Sequence, residues 1–145
     1  MNKTFKKVIL DIVTASGRLD EFNANLNGES TDGFYLPLDN SPWMKFVIEV
    51  LNFGSTPFLS VAHYGEQNGD AMRDPEMTFE VMPNGDWIAT SFRNDYVGVN
   101  RDMVVRNDEG KITRYVKDSF PNIWAKNLRS QGFVKASKQT RNVTV

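Results

Sequence analysis

The chain has 145 residues, no cysteine and a formal net charge of −1. Apolar residues make up 40% of it, which suffices for one core and excludes a disordered chain of low hydrophobicity and high charge. No apolar run is long enough to span a bilayer, and without cysteine there is neither a disulfide framework nor thiolate chemistry. Because Asp11 interrupts the N-terminal apolar stretch, we predict no signal peptide. We expect one cytoplasmic domain over residues 1–145.

An apolar stripe at helical spacing predicts a helix over residues 4–16, which Gly17 ends. Residues 20–33 are rich in Asn, Asp and Gly, so we expect a loop there. From Phe34 onward the apolar residues alternate with polar ones. This period predicts strands over residues 44–51 and 58–64, with a turn over residues 52–57 between them.

Two hairpins follow, one turning at Asn84-Gly85 and one at residues 107–110. The last predicted helix begins after Asp118 or Ser119 and ends at Gly132, and the basic tail over residues 134–145 is expected to be flexible. The fold class is therefore α+β. We expect an antiparallel β-meander of about five to seven strands, flanked by an N-terminal and a C-terminal helix.

The sequence offers few groups for catalysis. A nucleophilic triad would have to use His63, the single histidine, whose place on the apolar face of a predicted strand favours a half-buried structural role. Zinc ligand sets and glycine-rich phosphate loops are missing from the sequence. We therefore predict no catalytic residue, no metal and no cofactor. Most of the aromatic residues, Phe53 among them, are expected to pack in the core rather than to stack on bases.

Charge is divided unevenly along the chain. Residues 1–110 carry 9 basic and 17 acidic residues, whereas residues 111–145 carry 8 basic residues and 1 acidic residue. The acidic loop over residues 66–76 has oxygen ligands for a divalent cation, although a solvated loop is the favoured interpretation; its carboxylates are Glu66, Asp70, Asp74 and Glu76. The basic end could bind nucleic acid or an acidic protein surface, or pack beside the acidic sheet edge; its candidate residues are Lys126, Arg129, Lys135 and Lys138.

Three blocks of sequence carry a resemblance to a known family. They are SVAHYGEQNGD with MRDPEMTFEV (residues 60–70 and 72–81), RNDYVG (residues 93–98) and WAKNLRSQGF (residues 124–133). Together they resemble an uncharacterised bacterial domain family, a domain of unknown function found in phages, plasmids and conjugative elements. The resemblance spans about residues 34–133. It implies an accessory protein of a phage or mobile element, and it supplies no established activity, catalytic residue or cofactor.

We therefore expect a non-catalytic protein that binds a host or element-encoded protein complex, for example to inhibit a host defence system in the manner of an anti-CRISPR protein. The alternatives are a nucleic-acid-binding module that uses the basic C-terminal region, and a divalent-metal-dependent hydrolase that uses the acidic loop. No membrane partner is expected. The polar residues of the first two blocks are binding candidates and equally candidates for a structural salt-bridge network between two loops; they are Arg73, Asp74, Glu76, Arg93, Asn94 and Asp95.

Overall fold

A computed structural model describes residues 2–52 and 56–141 of the chain. These residues form four helices and eight strands, with two helices before the strands and two after them. They are α1 (Lys3–Ser16), α2 (Leu19–Leu26), β1 (Phe34–Asn40), β2 (Trp43–Asn52), β3 (Pro57–Gln67), β4 (Asp70–Val81), β5 (Trp87–Asn94), β6 (Val99–Asp102), β7 (Val104–Arg106), β8 (Ile112–Tyr115), α3 (Phe120–Ser130) and α4 (Phe133–Thr140).

Six of the strands form one antiparallel meander in the order β1-β2-β3-β4-β5-β6, and β7 pairs with β8 in a separate two-stranded sheet. With helices at both ends of the chain, this architecture confirms the α+β prediction. The predicted hairpins are confirmed as the β4–β5 and β7–β8 connections. At the first, Gly85 adopts a φ of 90°, and its N–H donates to the carbonyl of Met82 at 2.8 Å. Glycine reaches this left-handed conformation without steric cost.

The core lies between the helices and one face of the meander. On α1, Phe5 stacks on Phe79 of β4, with ring centroids 4.6 Å apart. On α3, Trp124 meets Phe46 of β2 edge-to-face at 5.9 Å. All four rings are at least 96% buried, which confirms for Trp124 the expected core role of the aromatic residues. Because α1 also packs against α2, α3 and α4, the helices form a single layer over this face.

The prediction of a loop over residues 20–33 is wrong for its first part, which forms α2. Asparagines have low helix propensity and mask the helical signal in this segment. Tertiary packing stabilises the helix despite its low propensity, since Phe22 is fully buried and packs against Phe34. The Asn25 side chain donates to the carbonyl of Glu21 at 2.9 Å and accepts from the N–H of Gly33 at 2.8 Å, which ties the helix to the loop that follows it.

Residues 134–140, which look like a polar tail in the sequence, belong to the helix α4. Gly132 adopts a φ of 87°, so that the chain leaves α3 as predicted and turns into a second short helix. Phe133 and Ser137 of α4 are fully buried, and the Ser137 hydroxyl donates to the carbonyl of Ile12 on α1. Apolar burial against α1 therefore orders a segment that looks like a polar tail in the sequence.

Parts of two predicted features, the turn over residues 52–57 with Phe53 and the tail beyond Arg141, lie outside the described residues. Among the residues described, no helix is both long enough and apolar enough to cross a membrane.

Candidate functional site

The second face of the six-stranded sheet, which we call the open face, is the one turned away from the helix layer. Its composition follows from strand register, because residues directly opposite one another on neighbouring strands share a face. One row runs across four strands at Glu49, Ser60, Thr78 and Ser91. The next row runs at Val47, Ala62, Glu76 and Arg93. The open face is therefore polar towards β4 and β5, while the covered face is apolar.

A groove of about 460 Å³ lies on the open face. Strands β2 to β5 form its floor, and Arg106 of β7 borders it. Its lining residues, which define the open-face groove, are Leu51, Phe58, Ser60, Arg73, Glu76, Thr78, Glu80, Thr90, Ser91, Arg93 and Arg106. Volumes of this size are typical of ligand sites in proteins. Three arginines and two glutamates in one groove make it a place for polar recognition.

Two of the groove's arginines are already paired with carboxylates. Arg73 donates two hydrogen bonds to Asp95 from Nε and Nη2, at 2.9 and 3.1 Å, and its backbone N–H donates a third at 2.8 Å. Its guanidinium also lies 3.8 Å from the carboxylate of Glu76. Arg106 donates to Glu80 at 2.8 Å. Within each pair the two opposite charges compensate one another, and the hydrogen bonds hold the walls of the groove in place.

Arg93 differs from them. It faces the groove opposite Glu76, yet within residues 2–52 and 56–141 its guanidinium forms no ion pair, and its buried Nε–H has no hydrogen-bond acceptor. The carboxylate of Glu76 is engaged elsewhere, because it accepts a hydrogen bond from the Ser60 hydroxyl at 3.1 Å. Buried donors normally have a partner, so an unpartnered one needs an explanation.

Glu49 on β2 is the corresponding unpartnered anion. It lies in a second, smaller hollow of about 250 Å³ with Tyr35 and Tyr64. No described side chain forms a hydrogen bond or an ion pair with its carboxylate. Burial, together with the negative charge of Glu76, raises the pKa of the Glu49 carboxyl above its ordinary value. Lys45, which lines the same hollow, is exposed. Arg93 and Glu49 are thus a cation and an anion of the open face that are partly buried and form no described hydrogen bond or ion pair.

The predicted site residues of the first two resembling blocks meet at one end of the groove, where the β5–β6 turn folds onto the β3–β4 hairpin. We call this contact the clasp. Besides the pair between Arg73 and Asp95, the clasp contains a hydrogen bond of 2.6 Å from Asn94 to Asp74. The sequence allows two roles for these residues, binding or a structural salt-bridge network between two loops. The clasp contains the contacts of such a network. Arg93 lies beside the clasp and forms no described hydrogen bond or ion pair with it, although, besides the hydrogen bonds from Arg73, its positive charge helps to lower the pKa of the Asp95 carboxyl.

Close backbone contact completes the clasp. The phenol of Tyr96 packs over Gly65 of β3 so tightly that a Cβ atom at Gly65 would lie 2.1 Å from the Tyr96 hydroxyl oxygen. Only a residue without a side chain fits beneath the ring in this arrangement.

The four acidic residues offered as metal ligands are not gathered. Glu66 and Asp70 are exposed at the tip of the β3–β4 hairpin, whereas Asp74 belongs to the clasp and Glu76 to the groove. In the described part of the chain, no three His, Cys, Asp or Glu side chains are placed to hold one metal ion. Three of these acids are spread along β4 at about 3.3 Å per residue, and the irregular register of β4 against β3 near Asp74 separates them further, so they do not meet at one point.

The basic candidates lie on the helix layer, remote from the open-face groove. All four are exposed on α3 and α4: Lys126, Arg129, Lys135 and Lys138. Arg129 forms an ion pair with Asp11 of α1. The intramolecular alternative placed the basic segment beside the acidic edge of the sheet. Arg129 instead pairs with a carboxylate of the helix layer, that of Asp11 on α1.

His63 is half-buried, as expected, on the covered face of β3. Its ring lies 5.0 Å from that of Phe46 and 5.6 Å from that of Phe133. Burial lowers the pKa of its imidazole below the ordinary value. The ring packs in the core layer.

Sequence reasoning missed Glu49, Glu80 and Arg106 as members of this surface. Glu49 and Glu80 each alternate with apolar residues of the covered face, so the strand period alone places them on the open face. No local signal identifies Arg106, because its hairpin reaches the groove only through tertiary packing.

Comparison with curated proteins and with solved structures gives no match. A family model described as a domain of unknown function (DUF6908) matches residues 8–134, and the chain belongs to this family.

Proposed function

We propose that the protein acts by binding a protein partner through its open face and catalyses no reaction. The observation that carries the proposal is the one-sided construction of the sheet. The helices cover one face, and the other holds a polar groove of about 460 Å³ that contains an arginine without a partner. Arginine is among the residues that most often dominate binding energy at protein interfaces.

The resemblance to phage, plasmid and conjugative-element domains supports a cellular setting for this role. In that setting the protein is a cytoplasmic accessory factor of a mobile element in a bacterial host. Its partner is a host or element-encoded complex, and blocking a defence complex is the favoured outcome of binding. The mixed charge of the open face is compatible with a protein surface, in which both signs of charge are interspersed.

Cross-linking in bacterial cells tests the proposal. The tagged full chain is cross-linked, and mass spectrometry identifies both the partner and the cross-linked positions. We expect one protein partner whose capture falls when Arg106→Glu reverses a charge at the groove. Capture should persist in the control variant Lys135→Glu, which changes α4 instead. Failure to recover a protein partner, or cross-links confined to the helix layer, would refute the role of the open face.

A second function, binding of nucleic acid, is favoured by one observation. Helices α3 and α4 present four exposed basic side chains and contain no acidic residue. A salt titration with duplex DNA and single-stranded RNA tests this function, because electrostatic binding weakens steeply as the salt concentration rises. Binding at low salt that is lost in Lys126→Gln and Lys135→Gln would support it. If the chain binds neither nucleic acid at low salt, this second function is wrong.

A further inference from the structure

The open face carries two opposite charges that the described chain leaves without partners, Arg93 on β5 and Glu49 on β2. Arg93 lines the open-face groove, and Glu49 lies in the neighbouring hollow on the same face. The other charges of the groove are already paired, as Arg73 is with Asp95 and Arg106 with Glu80. Arg93 and Glu49 are therefore partly buried charges of this surface that no described hydrogen bond or ion pair compensates.

A partly buried ion without a partner lowers stability, because the protein replaces its hydration only incompletely. For Arg93 the incompleteness is visible at a single atom, the Nε–H that has no acceptor. A ligand that brings a carboxylate to Arg93 and a cation to Glu49 would satisfy both groups at once. The two charges thus specify the polarity of whatever covers the groove.

The floor between them has room for a polypeptide. Strands β3 and β4 separate the two residues. Between them, the open-face positions carry the small side chains Ser60, Ala62 and Thr78, together with Glu76 beside Arg93. Strands are spaced about 4.8 Å apart and residues along a strand about 3.3 Å apart, so the backbone positions of Glu49 and Arg93 lie about 15 Å from each other. An extended chain covers that distance in about four or five residues.

We propose that the open face receives an extended segment of a protein partner, which occupies the open-face groove, places an acidic side chain on Arg93 and reaches Glu49 in the neighbouring hollow with a basic side chain. The hydroxyl groups of Thr90 and Ser91 form hydrogen bonds with that of Thr78, and each oxygen keeps a lone pair that can accept a hydrogen bond from a backbone N–H of this segment. A nucleic acid would bring phosphates to Arg93 but no cation to Glu49, so the segment belongs to a protein, which can supply both signs of charge. This inference rests on the proposed binding role of the open face and specifies the chemistry of the partner.

Selection from a random peptide library tests the inference directly. Peptides of about 12 residues displayed on phage are long enough to cross the groove, and they are selected on the immobilised full chain. We expect enriched sequences with one acidic and one basic residue separated by about three to five positions. Synthetic versions should lose affinity by about ten-fold or more in Arg93→Gln and in Glu49→Gln, because each change removes a charge-assisted hydrogen bond.

Matched controls are available in the β7–β8 hairpin. Arg114 and Glu109 are exposed and lie outside the groove, so Arg114→Gln and Glu109→Gln should bind the peptides as the unmodified chain does. Arg93→Lys provides a second test if Arg93→Gln does not fold, since lysine keeps the charge but loses the planar guanidinium fork that a carboxylate matches. Thermal melts of every variant establish that it is folded.

Each outcome decides the inference. Enriched peptides that lack the charge pattern, or that bind Arg93→Gln and Glu49→Gln as tightly as the unmodified chain, would overturn it while leaving the open face as a binding surface. A selection that enriches no peptide would also overturn it. The cross-linking experiment then decides the proposed function separately, because it does not depend on a short linear segment.

Discussion

The clasp between Arg73 and Asp95 allows the most quantitative prediction. Asp95→Ala removes a carboxylate that accepts three hydrogen bonds, two from the Arg73 guanidinium and one from its backbone N–H. The side chains of Arg73 and Asp95 retain 33% and 25% of their exposure, so water screens part of the interaction. Charge-assisted hydrogen bonds contribute about 1.5–3 kcal/mol and exposed ion pairs about 0–1 kcal/mol. Because this interaction combines charge-assisted hydrogen bonds with partial exposure to water, we expect Asp95→Ala to lower the free energy of unfolding by about 2 kcal/mol.

A double-mutant cycle separates the ion pair from the backbone contact. The cycle combines Asp95→Ala with Arg73→Met, and urea unfolding of the four proteins gives the coupling free energy. We expect a coupling of about 1 kcal/mol, because the pair is bidentate and partly buried. The matched control is Arg18 with Glu21, which forms two hydrogen bonds of 2.9 and 2.8 Å within one short stretch of chain. Its expected coupling is about 0.3–0.5 kcal/mol.

The pH dependence of this coupling has a definite sign. Hydrogen bonds from Arg73 hold the pKa of the Asp95 carboxyl below its ordinary value. A carboxyl whose pKa is lower in the folded than in the unfolded chain contributes its stabilisation above the unfolded pKa, and this is lost as the pH falls through the folded pKa. The coupling should thus be full at neutral pH and vanish in strong acid. A coupling no larger than that of the control, or one unchanged by acid, would refute the reasoning.

Three further substitutions have predictable effects. Glu49→Gln should raise the free energy of unfolding at neutral pH, because burial and Glu76 raise the pKa of Glu49, so its ionised form is destabilising. In urea unfolding, this gain should shrink as the pH falls through the pKa of Glu49 in the folded chain. A lower free energy of unfolding at neutral pH would contradict the prediction. Gly65→Ala should displace the Tyr96 ring, because the new methyl group would overlap its hydroxyl. Since that ring is 43% exposed and can move towards solvent, we expect a cost of about 1 kcal/mol or less, and the additional change Tyr96→Ala should remove the part due to the clash; an unchanged cost would argue against the clash. Phe79→Ala should cost about 3–5 kcal/mol, since the ring is fully buried against Phe5; a cost below about 1 kcal/mol would mean that the core repacks around it.

Much of the fold was predictable from local patterns. The stripe that contains Phe5 has helical spacing, and the alternation along β2 has a period of two, so each element type follows from the chain's own geometry. The failures fall where local preference and tertiary burial disagree. Asparagine-rich α2 and basic α4 are helices because Phe22 and Phe133 are buried in the core. Nothing local in their sequences signals that burial.

For the candidate site, the sequence determined the residue types, and the tertiary structure decided their partners. Arg73, Asp74, Asn94 and Asp95 were predictable as a group because they stand in two blocks of one family pattern. Which of them pair depends on how the β5–β6 turn folds onto the β3–β4 hairpin. Arg93 and Glu49 lie 44 positions apart in the sequence. Only strand register places them on one surface, because register fixes which side chains share a face and which charges remain without a partner.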